Sequence, residues 1–482
     1  MSTRPSPTQA AGIADATAAT AGTLPADGLA AELRGSVILP GDQGYDEARA
    51  VWNAMIDQRP ALIARCVDAD DAAVAVAFGR RHGLPIVVRG GGHSVAGKSS
   101  CDGGLVIDLS SMNGVEVDAD ARIARVGPGA RGADLDTAAQ SAGLATTGGT
   151  DSTTGVIGLT LGGGMGFLAR RYGLAADNLL GADVILADGT RVHASETEHP
   201  DLFWALRGGG GAFGIVTGIE LQLHPLGPQL MVAQAFHPFS GAPDALRFYR
   251  EFSADAPDEV GCFALAVNVP PVEGFPEESH GTTALALAAS YAGPLDEGER
   301  ALGPLVEFGS PIFSFLQPME YAVLQQSFDA AFPGGQRYFW KSQYLTGMPD
   351  EAIETFAAHA DPLPGAFSAA YFETLGGAFG RVDPSATAFP HRSAPFNLGV
   401  SAGWADAATD EAAIGWTRTF HEAMTPYGTG GVYANYAGAD DLGRLRAAYG
   451  DNFERLRQVK ERYDPERIFG RWVDAPAKVA AG

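Results

Sequence analysis

Cysteine is scarce in this sequence: Cys66, Cys101 and Cys262 are the only three in 482 residues, and they lie far apart. An odd, dispersed set supports neither a disulfide framework nor a thiolate metal site, and a reducing cytoplasm is the expected location. Positive charge is also short, with 33 Lys and Arg against 57 Asp and Glu and a formal net charge of −24. So acidic a chain is repelled by phosphate backbones and anionic lipid, so nucleic-acid and membrane-surface partners are not expected. The simplest use of the charge is solubility. No stretch approaches the ~20 apolar residues that span a bilayer. The N-terminus, rich in Ala, Thr, Ser and Pro, has no apolar run behind a basic start. A signal peptide is therefore not expected, and residues 1–30 read as a disordered tail.

What is present is a globular composition, with 46% hydrophobic and 19% charged residues, in a chain long enough for two domains. Apolar spacing predicts a helix over Tyr45–Ile56 with Ala48, Val51, Trp52 and Met55 on one face. A strand over Pro60–Cys66 follows, then a helix over Asp70–His82 and short strands at Pro85–Arg89, Leu105–Leu109 and Ile123–Val126. A helix is expected at Arg131–Ala142 and a strand at Leu180–Ala187. Asp188-Gly189 reads as a primed turn leading to a strand near Arg191-Val192, and Ile215–His224 alternates like a half-buried strand. Beyond Pro225 short strands alternate with Pro- and Gly-rich loops, with helices at Asp244–Phe252 and Asp410–Ala423, each opening on an Asp suited to capping. The stripe Leu442, Leu445, Tyr449, Phe453, Leu456, Val459 and Tyr463, broken at Gly450-Asp451, predicts two short helices near the end.

The 63 glycines include three clusters: Gly90–Gly92, Gly162–Gly164 with Gly166, and Gly208–Gly211 with Gly214. Glycine runs let backbone N–H groups converge on an anion, and three such runs in one half of the chain suit a pyrophosphate. Gly209-Gly210-Gly211-Ala212-Phe213-Gly214 matches the dinucleotide fingerprint formally but not in context. A helix-like segment precedes it and a strand follows, the reverse of what that motif needs. His93 directly follows the first cluster. An imidazole there could be a ligand, a base or a covalent anchor, and no neighbouring metal ligands accompany it.

Taken together, Arg89-Gly-Gly-Gly-His93-Ser94, Gly155-Val-Ile-Gly158-Leu-Thr-Leu-Gly162-Gly-Gly-Met-Gly166 and Asp201-Leu-Phe-Trp through Gly214 resemble the berberine bridge enzyme-like FAD oxidases. These belong to the vanillyl-alcohol oxidase / p-cresol methylhydroxylase (PCMH) superfamily. Tyr433-Ala-Asn435-Tyr436 and the tail from Tyr449-Gly-Asp-Asn-Phe453 to Phe469 extend the resemblance over nearly the whole chain, most weakly between Leu226 and Thr429. It implies an α+β architecture. A discontinuous PCMH-type FAD-binding domain would comprise residues 31–225 and 430–482, and an inserted substrate domain with an antiparallel sheet would comprise residues 226–429.

The resemblance also implies roles. His93 would carry the flavin covalently. Gly90, Gly91, Gly92 and Ser94 would cradle the pyrophosphate with backbone N–H groups, and Arg89 would also belong to the cofactor site. Gly158, Gly162 and Gly163 would line the isoalloxazine, and Gly149, Asp151, Thr154 and Gly155 would also bind the cofactor. Val216 would lie near the adenosine and Asn435 near the flavin edge. Members with two covalent links have a Cys four residues before the Gly-Val-x-Gly segment, where this chain has Asp151, so a single link through His93 is expected. The implied activity is hydride removal from a C–H bond of a small alcohol, sugar, amine or secondary metabolite, with O2 as acceptor. Tyr436, and second Tyr433, would take the proton. Tyr371, Glu373, His391 and Arg392 are the polar groups of the middle region, each more simply read as structural or solvated. A flavin dehydrogenase with another acceptor, or a flavoprotein that sequesters a metabolite, are the alternatives. The chain would act as a monomer or homodimer without a metal.

Overall fold

The computed structural model describes residues 25–470. Most of the expected tail lies outside the described residues, but its last part does not: Ala26–Glu32 is a helix that buries Leu29. Three sheets carry the fold. In the first, Leu62–Arg65, Leu105–Asp108 and Ile86–Arg89 run parallel, and Ser36–Ile38 pairs antiparallel at one edge. Such strands must be covered on both faces, which is why they read as unbroken apolar runs. The helix Ala69–Arg81, capped by the Asp68 side chain on Asp71 N–H, packs Ala72, Ala75, Val76 and Phe78 into that core. The second sheet is antiparallel, in the order Val115–Asp118, Ile123–Val126, Ile215–Gln222, Leu179–Ile185, Arg191–Ser195.

All seven strands from Gln229 to Trp404 form one antiparallel sheet. Its order is Phe313–Glu320, Gln229–Pro238, Thr283–Tyr291, Val260–Asn268, Ala369–Thr374, Phe396–Trp404, Arg337–Leu345. Helices Ala242–Asp255, Leu295–Glu307, Asp350–Ala360 and Asp410–Met424 cover one of its faces, burying Leu246, Leu302, Phe356 and Phe420. The chain then returns to its first half. Val432, Tyr449, Leu456 and Val459 share a core with Ile157, Phe203, Trp204 and Leu221. Lys460 Nζ donates to the carbonyls of Ala212 and Phe469 and to Asp464, locking the returning helix Phe453–Tyr463 beside the third glycine cluster.

The fold class is the expected α+β one, and the differences are local. The helix at Tyr45 ends at Arg49, and the extended backbone at Ala50 releases Trp52 from the predicted face. The turn at Asp188-Gly189 is not primed: only Gly189 has positive φ (84°), and Gly189 N–H closes on Leu186 C=O. That is a type I turn completed by a left-handed glycine. Neither Asp244 nor Asp410 caps its helix. Ala242–Asp255 starts earlier, and the Asp410 carboxylate accepts from Arg337 Nε (2.6 Å) and Trp404 Nε1 (2.8 Å) instead. The two terminal helices are present at Leu445–Tyr449 and Phe453–Tyr463, with Gly450 at φ 45° between them. The side chains of Leu442 and Leu445 lie outside the description.

Candidate active site

Where the glycine loops, the returning C-terminal segment and the other face of the seven-stranded sheet meet, they enclose a cavity of about 710 Å³. The strand Ile86–Arg89 ends at its wall. From there Gly90, Gly91, Gly92, His93 and Ser94 pass along the cavity, followed by Gly149, Asp151, Thr154, Gly155, Gly158 and Gly162, then Val216, and finally Tyr433, Asn435 and Tyr436. Fifteen of the seventeen residues expected at the site therefore converge on one space from segments hundreds of residues apart.

Arg89 and Gly163 are the two that do not reach it. The Arg89 side chain turns beneath the loop, where Nη1 donates to the carbonyls of Ala48 and Ala50. Gly163 faces the packed rings of Phe389 and Tyr433, at 3.0 and 3.4 Å from where a Cβ would stand. Both support the wall from behind. In sequence they are indistinguishable from their neighbours, because the direction of a loop residue is set by backbone torsions the motif does not encode.

Close backbone approach explains the glycines. A Cβ on Gly91 would lie 2.6 Å from Gly155 Cα, so the first and second clusters touch main chain to main chain. At Gly158 a Cβ would meet nothing within 4 Å, leaving a flat stretch of cavity wall.

His93 is held on two sides. Its ring stacks on Trp52, with centroids 4.2 Å apart and planes at 22°, and Trp52 stacks in turn on Tyr338 at 4.1 Å. Nε2 is buried and lies 3.4 Å from Asp151 Oδ2, beyond ordinary hydrogen-bond length. Asp151 Oδ1 accepts from Thr153 N–H (2.8 Å) and Thr153 Oγ1 (2.6 Å). Burial pushes the Asp151 carboxyl up, but His93 and the Thr153 donors outweigh it and hold the group below the usual carboxylate range. The next residue, Ser152, gives both its N–H (2.9 Å) and Oγ (2.6 Å) to Asp329, which pins the loop.

A second group of lining side chains is phenolic. Tyr433 is buried, and its hydroxyl oxygen accepts from Gly164 N–H (3.0 Å), Met165 N–H (3.3 Å) and Asn435 Nδ2 (2.9 Å). Burial pushes Tyr433 up to about 12 despite those donors. The Tyr436 and Tyr371 rings meet edge to face with centroids 6.4 Å apart, and burial raises both phenols well above their ordinary range. Trp340 packs edge-on against Tyr436 at 5.3 Å.

Of the four polar groups from the middle region, Tyr371 alone lines the cavity. Two residues along the same strand, and so on the same face, Glu373 is buried behind it. Glu373 accepts from Asn397 Nδ2 (3.1 Å), and burial raises its carboxyl to about 7. His391 bonds the Ala448 carbonyl, and Arg392 forms a buried two-pronged pair with Asp177 at 2.7 Å. Both are structural.

The sequence reading missed Trp52, Lys98, Ser99, Ser100 and Trp340. Ser99 and Ser100 follow His93 closely enough to have been suspected, whereas the two tryptophans carry no local signal. Lys98 is the single Lys or Arg among the lining residues. It is open to the cavity yet so deep that burial lowers its ammonium.

These residues fit a dinucleotide carrying a flat ring. Ser99 and Ser100 hydroxyls and His93 Nε2 are buried polar atoms without protein partners, the open face at Gly158 leaves room for a planar group, and Lys98 supplies positive charge. Among the described residues no cluster of His, Cys, Asp or Glu could hold a metal, and none of the three cysteines lines the cavity. The class defined is a flavoprotein of the PCMH type.

Comparison with known proteins agrees. The model of the FAD binding domain matches residues 60–195, and that of berberine and berberine-like proteins matches residues 432–471. An uncharacterised FAD-linked oxidoreductase of Bacillus subtilis is 31% identical over 91% of this chain and 96% of its own length. The (R)-6-hydroxynicotine oxidase of Paenarthrobacter nicotinovorans is 32% identical over 91% and 95%. The crystal structure of 6-hydroxy-D-nicotine oxidase from Arthrobacter nicotinovorans superposes with a TM-score of 0.81 at 30% identity, covering 91% of this chain and 96% of that one. The chain belongs to the berberine bridge enzyme-like family of FAD-linked oxidoreductases. Among the described residues no helix is long and apolar enough to cross a membrane.

Proposed function

We propose that this enzyme is an oxidase that holds FAD by one covalent bond, through His93, and takes a hydride from a C–H bond of a small alcohol, sugar, amine or secondary metabolite. The observation that carries this reading is the cavity itself, one space lined by His93, by Tyr436 and Tyr371 and by bare glycine wall. Gly90–Gly92, Ser94, Ser99 and Ser100 would hold the pyrophosphate, with Lys98 as counter-charge. Gly158, Gly162 and Asn435 would border the ring. When bound, the flavin supplies the hydride acceptor and passes its electrons to O2, giving H2O2.

The chain's own task is then binding and proton transfer. Phe263, Leu265, Phe328 and Trp340 make the remaining wall apolar, which excludes water and leaves orientation to the phenols. Tyr436 Oη would accept the substrate O–H or N–H proton while its own proton moves toward Tyr371, because a phenol raised by burial is not ionised at neutral pH. Glu373, which titrates near neutrality behind Tyr371, would be the nearest carboxylate to balance that shift. Tyr433, with three donors on its oxygen, would act as a support for Asn435 and the second glycine loop.

We further assign residues 31–225 and 430–482 to the flavin domain and 226–429 to the substrate domain. Confinement of the seven-stranded sheet to the middle segment, and the core shared by its two flanks, support this division. The test is a panel of alcohols, sugars and amines in air, with oxygen uptake and peroxide measured together. Flavin reduction without peroxide would identify a dehydrogenase instead. Tight ligand binding with no reduction by any substrate would identify a sequestering protein.

A further inference from the structure

Asp136 is a buried carboxyl that the proposed proton path does not use. It stands on the helix Gly132–Gln140 and lines a small second cavity of about 10 Å³, room for one water. Gln325, from the helix Tyr321–Gln325, lines the same space, and its Nε2 donates to Asp136 Oδ2 at 3.2 Å. Gly149, Asp151, Thr154 and Leu159 face both this space and the large cavity, so the wall between the two is one residue thick there. Leu159 adjoins Gly158, the open stretch of wall, and its carbonyl accepts from Asn435 Nδ2.

Few charges face Asp136. On its own helix, Asp134 accepts from the Arg131 N–H. The helix Tyr321–Gln325 adds the Tyr321 phenol, which donates to Thr146 C=O at 3.4 Å. Leu144–Ala145 brings no titratable group. On Val115–Asp118 the charged Glu116 and Asp118 are exposed, and on Ile123–Val126 Arg125 is exposed and pairs with Glu220. Asp151 engages Thr153 with one oxygen and approaches His93 with the other, and it is held below the usual carboxylate range. Burial raises the Asp136 carboxyl to about 7, and the Gln325 donor moderates the rise. With so little room for water, a charge formed there is poorly screened and acts on its surroundings through protein.

Resting on the reading that the flavin ring lies along the second glycine loop, we infer that Asp136 is an electrostatic partner of the ring that never touches it. Across the shared wall, its negative charge makes the flavin harder to reduce. Below neutrality the group is uncharged and the effect is absent. Above neutrality the carboxylate opposes the electrons that the ring must accept. Asp151 stays ionised throughout this window and contributes a constant.

The experiment compares wild-type holoenzyme with Asp136→Asn, which keeps the shape and a polar contact to Gln325 but cannot ionise. The reduced-to-oxidised flavin ratio is read spectrally against a redox dye between about pH 5.5 and about pH 8.5. Titrations common to both proteins, of the flavin itself and of Glu373, cancel in the comparison. The two proteins should agree at the acid end. At the alkaline end the wild-type ratio should be lower on the order of tenfold, the Coulomb penalty of one poorly screened charge on another. Gln325→Leu keeps Asp136 and removes the donor that favours its charged form, so its fall should begin at higher pH than the wild type's. A wild-type ratio that tracks Asp136→Asn at every pH, or a difference that does not vary with pH, overturns the role of Asp136. So does a Gln325→Leu profile that falls at the wild-type pH or below it, and this comparison decides alone should Asp136→Asn fail to fold. Gly158→Val, which fills the open stretch of wall, should alter the visible spectrum of bound flavin at any pH. An unaltered spectrum with FAD still bound would overturn the placement of the ring, separately from the role of Asp136.

Discussion

Asn435 occupies the space above Gly162 so fully that a methyl group on Gly162 would fall 2.0 Å from Asn435 Oδ1. The same Asn435 donates through Nδ2 to Leu159 C=O (3.0 Å) and to Tyr433 Oη (2.9 Å), tying the C-terminal segment to the second glycine loop. Gly162→Ala should therefore displace Asn435 rather than merely crowd it. A loss of about 1–3 kcal/mol is expected from such overpacking. Thermal unfolding with and without FAD would measure it, and the loss should be larger with FAD, since the displaced group borders the cofactor site.

For the anchor, His93→Ala should abolish retention of yellow colour in the acid-precipitated pellet. The variant can still bind FAD reversibly, because the glycine walls and the Ser99 and Ser100 hydroxyls are untouched. Absorbance of pellet and supernatant decides the matter. Colour that stays with the His93→Ala pellet would place the bond elsewhere.

Tyr436→Phe removes the hydroxyl that faces the cavity while keeping the ring packed against Trp340 and Tyr433. With a substrate that reduces the wild type, the rate of flavin reduction should fall about a hundredfold to ten-thousandfold, the range for loss of a general base. Tyr433→Phe should cost less in rate and more in stability, because three donors lose their acceptor. Stopped-flow reduction and thermal melts of the pair would show whether the roles are reversed.

Glu373 gives a stability prediction with a definite sign. Burial raises its carboxyl from 4.5 to about 7 in the folded state. Below about pH 4.5 both states are protonated. Between there and about pH 7 the unfolded chain ionises first, so the folded state is progressively disfavoured, by up to about 3 kcal/mol at completion. Stability should fall as pH rises through this window, and Glu373→Gln should flatten that part of the profile. Asp136, raised to about 7 by burial beside Gln325, contributes in the same direction and would remain in the variant.

Arg392 tests the packing reading of the middle region. Its guanidinium pairs with Asp177 on both nitrogens and is buried against Phe379 and Phe389. Arg392→Met should destabilise by about 3–5 kcal/mol, because Asp177 is left without its partner. An unchanged melting temperature would refute this.

The sequence alone determined where backbone must approach backbone. Glycines at 90–92, 155–166 and 208–214 are legible because only glycine tolerates such contacts, and His93 gains meaning from standing beside them. Short apolar runs likewise marked the strands Ile86–Arg89 and Leu105–Asp108, since a doubly covered parallel strand has no polar face. What it could not determine was direction and partnership across distance. Arg89 belongs to the motif but points behind the wall, and Trp52 was read as a helix face although it stacks on His93. Glu373 stood out only as one of four polar groups of the middle region, read as structural or solvated. Burial behind Tyr371 is what moves its titration to neutrality, and burial is a property of strands paired far apart in the chain. The 3.4 Å approach of Asp151 to His93 likewise exists only because two loops, each dictated by its own glycines, are folded against one another.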